Sequence, residues 1–271
     1  MLLAAAGLGL LMGLVIGALG GGGSILTVPA LVYALGMSAQ EATTASLVIV
    51  GLTATVSAVG HARSGHTRWR SGLLLAAVGV PASLVGTHFN RLVDENALLL
   101  AFAALMLVAA AGMLIRSGDD TGADPQNQDV DRTPPRGEGT AADLRRGGRA
   151  TLPTIAAGLG IGALTGFFGV GGGFAIVPVL VVALHVPMTA AVGTSLLVIA
   201  LNSAVALAAR AGQGNFDWQV IVPFTAAAVI ASLVGQRVAD QLPGRSLTRA
   251  FAALLVLVAG YVGVRASLAL T

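Results

Sequence analysis

The feature of this sequence that most limits its possible folds is a run of glycines that interrupts a long apolar stretch twice. The first copy, at residues 18–35, reads ALGGGGSILTVPALVYAL, and the second, at residues 167–184, reads FFGVGGGFAIVPVLVVAL. The glycines, the Val-Pro pair and the Ala-Leu ending occupy matching positions, 149 residues apart. Because consecutive glycines disfavour continuation of a helix, each copy predicts an apolar helix that is broken near its middle.

The same offset aligns most of the first half of the chain with the second half without a gap. The matches include Gly13 with Gly162, Gly17 with Gly166, Ser46 with Ser195, Trp69 with Trp218, and residues 82–86 with 231–235. Chance identities do not keep one register over so long a stretch. The chain is therefore predicted to consist of two homologous repeats.

The composition is far more apolar than that of a soluble domain. Hydrophobic residues make up 55% of the chain and charged residues 10%, whereas soluble domains have about 25% charged residues. Residues 2–40 and 42–60 carry no charged side chain, and such lengths suffice for a membrane-spanning helix. Runs that are apolar on every side exclude an outer-membrane barrel, whose strands alternate in polarity. The predicted fold class is an all-α polytopic membrane protein.

Each half divides into five apolar segments. They are residues 2–19, 25–35, 42–59, 73–89 and 97–115 in the first half, and 152–168, 174–184, 190–209, 220–234 and 250–264 in the second. The second segment of each half, directly after the glycines, is short for a span. Short, Gly/Pro-interrupted segments at matching positions of two halves are typical of transport sites.

Between the halves, the sequence loses its large apolar residues. Residues 116–151 contain seven of the twelve acidic residues and six of the fifteen arginines. This composition predicts a disordered polar linker. The predicted domains are a first transmembrane repeat at residues 1–115, the linker at 116–151, and a second transmembrane repeat at 152–271.

The topology depends on whether the chain crosses the membrane at the glycine breaks. Five crossings in each half would make the repeats inverted, and four would make them parallel. All fifteen basic residues are Arg, and they divide twelve to three between the two sides in the inverted case and eleven to four in the parallel case. The positive-inside rule places the linker in the cytoplasm either way. We predict the inverted 5+5 arrangement with both termini outside, and the parallel 4+4 arrangement is the alternative.

Candidate binding groups lie at and beside the glycine breaks. Backbone N–H groups at a helix start attract anions, and hydroxyl groups can donate to an anion without burying a charge. The predicted substrate site contains Gly22, Gly23, Ser24, Ser46, Gly172, Gly173, Thr194, Ser195 and Asn202. The alternatives are close helix packing for the glycines, which we prefer for Gly13 and Gly17, and bonding of the hydroxyls to their own helices.

The sequence lacks the residues that nucleotide-binding, metal-binding and hydrolytic motifs require. There is no Cys and no Lys for a GxxxxGK[ST] nucleotide-binding loop, and no HExxH or paired-carboxylate pattern occurs. We therefore predict no metal, no cofactor, no nucleic-acid partner and no enzymatic activity. His61 and His88 fall at span ends, where they are interpreted as interfacial side chains, and a role in proton coupling is the minority alternative. Glu41 is interpreted as stabilising a helix N-terminus.

Together these motifs resemble the TauE/SafE sulfite exporter family. The resemblance rests on a GxGGG run with a following Val-Pro, a (A/G)-T-S-L span, and a loop that ends in Trp. In the second half these are residues 169–173, Val177-Pro178, residues 193–196 and Phe216-Asp217-Trp218; the first half has residues 20–23, Val28-Pro29, residues 44–47 and Arg68-Trp69. Ala45 stands in the first copy where Thr194 stands in the second, so the match is not symmetric.

The resemblance implies a secondary transporter in the bacterial inner membrane. Its expected substrates are small sulfur-containing anions such as sulfite or sulfonates, moved by alternating access between the repeats. The expected partners are the anion and the lipid bilayer, and a coupling proton and a homo-oligomer stay open. The alternative function is a membrane-anchored subunit that binds a partner protein through the central linker.

Overall fold

The structure, a computed structural model of the 271-residue chain, describes residues 2–65, 67–90, 95–119, 141–168, 173–209 and 217–268. The described residues form helices and no strands. The α-helices are α1 (Leu2–Leu19), α2 (Gly22–Pro29), α3 (Ala39–Arg63), α4 (Trp69–Asn90), α5 (Glu95–Asp119), α6 (Ala141–Phe168), α7 (Gly173–Pro178), α8 (Met188–Ala209), α9 (Trp218–Gln241) and α10 (Gly244–Leu268). Two π-helical segments, π1 (Ala30–Ala34) and π2 (Val179–Ala183), continue α2 and α7.

This architecture confirms the prediction of an all-helical, multi-pass membrane protein. Within the described part of the chain, five helices are long and apolar enough to cross a membrane, namely α3, α4, α8, α9 and α10. Shorter apolar helices occur at Leu3–Leu19, Gly22–Ala34, Leu100–Ile115 and Thr154–Phe167. Every apolar segment that was identified in the sequence therefore corresponds to a helix.

Helices extend into both ends of the predicted linker. α5 ends at Asp119 and α6 begins at Ala141, so residues 141–151 are helical where the sequence predicts disorder. Residues 120–140 lie outside the described part of the chain. For them the predicted disorder remains a prediction, as does the division into three domains.

Local sequence explains where the helices begin and end. Ser38 forms a capping box at the start of α3: its hydroxyl accepts from the N–H of Glu41 at 3.3 Å, and the Glu41 carboxylate accepts from the N–H of Ser38 at 3.2 Å. This confirms the interpretation of Glu41 as a helix-stabilising acid. α1 ends at Leu19, and Gly20, which follows it, has a φ of 69°, a conformation that favours glycine.

The Val-Pro pair produces the same local distortion in both halves. Pro29 and Pro178 lie at the ends of α2 and α7, directly before π1 and π2. Proline lacks an N–H and its ring crowds the preceding turn of an α-helix. The wider π segment that follows accommodates this loss, and such segments often occur at functional sites.

The closest helix contacts join α1 to α9 and α4 to α6. At each contact a glycine lies against the backbone of the partner helix, so that an added Cβ would overlap it. The contacts are Gly13 with Ala228, Gly17 with Ser232, Gly162 with Gly79, and Gly166 with Ser83. The packing interpretation of Gly13 and Gly17 is therefore confirmed. The contacts between α1 and α9 correspond to those between α6 and α4: adding 149 to the residue number on α1 and subtracting 149 from that on α9 gives the second pair.

Six of the described helices form two groups that run in opposite directions, one of α1, α3 and α9 and the other of α4, α6 and α8. Ala5, Ala42 and Val220, near the starts of α1, α3 and α9, belong to one hydrophobic cluster, so these helices run together. α8 is antiparallel to α3: Gly51 contacts Ser203, whereas Arg68, which follows α3, bonds to Thr194 near the start of α8.

α4 and α6 belong to the group of α8. Gly72, near the start of α4, contacts Thr194 and Leu197 near the start of α8. Along the interface of α4 and α6, residue numbers increase together, since Gly162 faces Gly79 and Gly166 faces Ser83. α1 and α6, the first helices of the two halves, therefore run in opposite directions.

A side chain at the glycine contacts should destabilise the protein. We expect Gly17→Val or Gly166→Val to lower the free energy of unfolding by about 1–3 kcal/mol, because the added atoms meet backbone that cannot move aside. The measurement is the apparent melting temperature in detergent, followed by tryptophan fluorescence. Gly7→Val and Gly160→Val are the controls, because nothing lies within 4 Å of a Cβ at either position. Equal melting temperatures for all four variants would contradict the role assigned to these contacts.

Candidate functional site

A cavity of about 570 Å³ opens beside the first glycine break. Its walls come from α2, the first half of α3, and parts of α5, α8 and α10. Five lining residues carry hydroxyl groups: Ser24, Thr43, Ser46, Ser203 and Tyr261. The other lining side chains are apolar, and none of the described lining residues is charged. The cavity thus combines an apolar body with a few hydroxyl groups, as small-molecule sites generally do.

Two residues of the predicted site, Ser24 and Ser46, line this cavity. The Ser24 hydroxyl donates to the carbonyl of Gly21 at 2.7 Å, and the Ser46 hydroxyl donates to the carbonyl of Thr43 at 2.8 Å. In this conformation each hydroxyl presents only acceptor lone pairs to the cavity. Rotation about the C–O bond is enough to redirect the hydrogen toward an anion, since a hydroxyl hydrogen turns to suit its partner.

Gly22 and Gly23 are buried in helix contacts and do not line the cavity. A Cβ at Gly22 would lie 2.9 Å from Cδ2 of Leu254, and one at Gly23 would overlap Ile16 on α1. These contacts agree with the alternative interpretation of the glycines as sites of close packing.

The second glycine break meets the first at the cavity wall. A Cβ at Gly173 would lie 2.5 Å from Oγ of Ser24 and 3.0 Å from Cδ1 of Ile199. α7 has only six residues, so its N-terminus carries little of the helix dipole on which the predicted anion site relies. Gly172 lies outside the described residues.

The remaining predicted site residues lie on α8, away from the cavity lining. The Thr194 hydroxyl donates to the carbonyl of Ala190 at 2.6 Å and accepts from the N–H of Arg68 at 3.1 Å. The Ser195 hydroxyl donates to the carbonyl of Val192 at 2.8 Å. Thr194 thus links the loop after α3 to α8, and Ser195 bonds within its own helix, as the alternative interpretation expects.

Asn202 differs from these hydroxyl residues. Its Oδ1 is buried and has no hydrogen-bond partner among the described residues. Its neighbour Ser203 lines the cavity, although Asn202 does not. A buried amide oxygen without a partner costs free energy, so Asn202 stands next to the cavity as an unsatisfied acceptor.

Sequence reasoning did not assign Thr43, Ser203 or Tyr261 to the site. Thr43 directly precedes the residues 44–47 motif and Ser203 directly follows Asn202, so the sequence motifs could have indicated both positions. Tyr261 on α10 and Phe102 on α5 had no local signal. They reach the cavity only because α5 and α10 pack against each other beside α2 and α8.

His61 is buried inside the helix bundle, and its interpretation as an interfacial side chain is wrong. The ring is 2% exposed, and Nε2 lies 3.3 Å from the carbonyl oxygen of Gly17. Because a carbonyl only accepts, the ring donates its N–H to α1. The contact joins the end of α3 to the end of α1.

Comparisons with known proteins agree with this architecture. A probable membrane transporter protein of Xylella fastidiosa strain Temecula1 is 33% identical over 259 residues, which cover 94% of this chain and 92% of the relative. The corresponding protein of strain 9a5c has the same identity and coverage. The probable membrane transporter protein YunE of Bacillus subtilis is 22% identical over 258 residues, which cover 93% of each chain. No solved structure matches the chain significantly.

The sequence model of the family described as sulfite exporter TauE/SafE matches residues 5–262. This match covers α2 to α9 completely and α1 and α10 for most of their length, and it includes all the residues that line the cavity. The chain therefore belongs to the TauE/SafE sulfite exporter family of membrane transporters.

Proposed function

We propose that this protein is a secondary transporter that moves small sulfur-containing organic anions, of the sulfonate type, through the cavity beside the first glycine break. The observation that carries the proposal is the lining of that cavity, which is apolar apart from its hydroxyl groups. An anion in a site without a counter-charge needs hydrogen-bond donors that replace water. Ser24, Thr43, Ser46, Ser203 and Tyr261 are placed to supply them.

The size of the cavity favours an organic anion over bare sulfite. A sulfite ion is only a few times larger than a water molecule, which takes about 30 Å³ in the liquid, and the cavity holds about 570 Å³. An alkyl or aryl sulfonate would bring its apolar body against residues such as Val50, Phe102 and Leu257, with the sulfonate group at the hydroxyls. Apolar walls with a few polar groups are the usual design for such ligands.

We also infer that the two halves are inverted repeats that carry out alternating access. The opposite directions of α1 and α6 support inversion, because parallel repeats would point their first helices the same way. The cavity lies where broken elements of both halves meet, as in other inverted-repeat transporters. The inferred topology has ten crossings in a bacterial inner membrane, with the linker in the cytoplasm. A coupling proton and a homo-oligomer remain part of this proposal.

Flux measurements test the proposed substrate. In vesicles that contain the purified protein, we expect uptake of a radiolabelled short-chain alkanesulfonate, with sulfite as the competing candidate, and the comparison is made with and without a proton gradient. Ser46→Ala should raise the KM for the sulfonate about three- to tenfold, the effect of one typical net hydrogen bond. Thr55→Ala is the matched control, since Thr55 is an exposed residue of the same helix that also donates to a backbone carbonyl. Unchanged KM values in Ser46→Ala and Ser24→Ala would contradict the site.

Thr194 should behave as a structural residue and not as a substrate ligand. Thr194→Val keeps the shape of the side chain but removes the acceptor for the N–H of Arg68, and loss of this partly buried hydrogen bond costs about 0.5–1.5 kcal/mol. We therefore expect a lower melting temperature with the KM of the folded protein unchanged. Thr194→Ser retains the hydroxyl and should restore the melting temperature. A raised KM at an unchanged melting temperature would instead assign Thr194 to substrate binding.

The alternative function, a membrane subunit that holds a partner through the linker, makes a different prediction. Because α5 ends at Asp119 and α6 begins at Ala141, a test confined to residues 120–140 leaves both helices whole. We expect a Gly/Ser segment of equal length in place of these residues to preserve flux. Loss of function in cells with full flux in vesicles would favour the partner-binding alternative.

A further inference from the structure

We propose that the protein contains a second substrate site, in the second half of the chain, which forms when the cavity described above closes. The site would be lined by Val177, Val192, Ser195, Leu196 and Phe251, and it would bind the same class of anion. This inference rests on the proposed transport function and specifies the other state of the transport cycle.

The positions follow from the 149-residue offset. Every lining residue of the cavity has a counterpart in the other half, and Val50 and Ile199, which both line the cavity, are counterparts of each other. They lie where α3 and α8 cross, close to the contact of Gly51 with Ser203. Both sites would therefore share this central pair of residues.

The two sets of counterparts differ sharply in burial. Val28, Thr43 and Leu47 line the cavity and are partly exposed. Their counterparts Val177, Val192 and Leu196 are each 0% exposed. Residues of similar size, at equivalent places on equivalent helices, are open to a cavity in one half and fully packed in the other. The structure is therefore asymmetric exactly where its sequence is duplicated.

The packing of α5 accounts for the closed half. α5 lies against α7 and π2, where a Cβ at Gly112 would lie 3.6 Å from the methyl carbons of Val182. Met113 and Phe251 are each 0% exposed, whereas their counterparts Val262 and Phe102 line the cavity. α5 thus covers the broken element of the second half. In the first half α10 contacts the broken element at Gly22, and the cavity stays open beside that contact.

If the two halves exchanged their arrangements, so that the first half became closely packed and the second half open, the cavity would close and the second site would form. The residues on the two sides are similar, so the two states make similar contacts, and a ligand that prefers one of them shifts their populations. The π segments, in which the helical hydrogen-bond pattern is already altered, are places where the broken elements can bend. In an inverted pair of repeats the second site would open to the opposite side of the membrane.

The second site would bind the anion more weakly than the first. Gly173 occupies the position of Ser24, Val192 that of Thr43, and Ala54 that of Ser203. Of the serine and threonine hydroxyls in the cavity, only that of Ser46 is kept, as Ser195. A site with fewer donors compensates less for the lost hydration of the anion.

Cysteine accessibility tests the second site, because the chain has no native Cys. Val28→Cys and Val177→Cys are single-cysteine variants at matched positions, probed with a membrane-impermeant maleimide in vesicles of each orientation. We expect Val28→Cys to react from one side of the membrane and Val177→Cys from the other. Reaction of both from the same side, or no reaction of Val177→Cys from either side, would overturn the proposal.

A pair of bulky substitutions shifts the equilibrium in opposite directions. Leu196→Trp cannot fit the closed half, so we expect it to raise labelling of Val177→Cys about fivefold or more and to lower that of Val28→Cys. Leu47→Trp occupies the open cavity and should lower labelling of Val177→Cys to a similar degree. If Leu196→Trp does not fold, the test rests on Leu47→Trp alone. Unchanged labelling of Val177→Cys in the Leu47→Trp background would then reject the second site.

The labelling needs no substrate, so it separates this inference from the proposed function. Opposite-sided labelling without sulfonate flux would reject the substrate class and keep the second site. With flux present, the sulfonate should protect Val28→Cys at a lower concentration than Val177→Cys. Protection in the reverse order would overturn the assignment of the weaker site to the second half.

Discussion

The structure depends on the backbone contact that glycine permits between α1 and α9 and between α4 and α6. Within a membrane, apolar side chains gain little by leaving lipid for protein, so helices associate through close packing over small residues. Gly13 and Gly17 bring α1 onto α9, and Gly162 and Gly166 do the same for α6 on α4. Each contact joins one half of the chain to the other, and these four helices form the frame on which the broken elements are held.

The site that we propose for the anion relies on hydroxyl groups and not on a charged side chain. A charged side chain within the membrane is costly and therefore rare, and the described lining uses hydroxyl groups in its place. Ser24 and Ser46 bond to their own helices in this conformation. Exchange of that bond for one to a ligand keeps both hydroxyls satisfied in both states, which limits the cost of an empty cavity.

Local sequence patterns were sufficient to predict the helices, because an apolar run or a glycine break determines the conformation of the segment in which it occurs. They were less reliable for the site. Ser24 and Ser46, two residues of the predicted site, line the cavity, but Gly22 and Gly23 are buried in contacts with α10 and α1. Thr194 shares its motif with Ser195, yet its hydroxyl joins the loop at Arg68 to α8. A hydroxyl beside a glycine break has several possible neighbours, and the packing of distant helices selects among them.

By itself the sequence determined that this chain is a helical membrane protein with a duplicated, glycine-broken element, because composition, segment length and the 149-residue repeat are properties of the chain alone. Only the tertiary structure decided which glycines pack helices, that His61 is buried against α1, and that the open cavity lies beside the broken element of the first half. Equivalent sequences such as those around Leu47 and Leu196 carry the same local preferences. Their different burial arises from the position of α5 and α10, which no local pattern encodes.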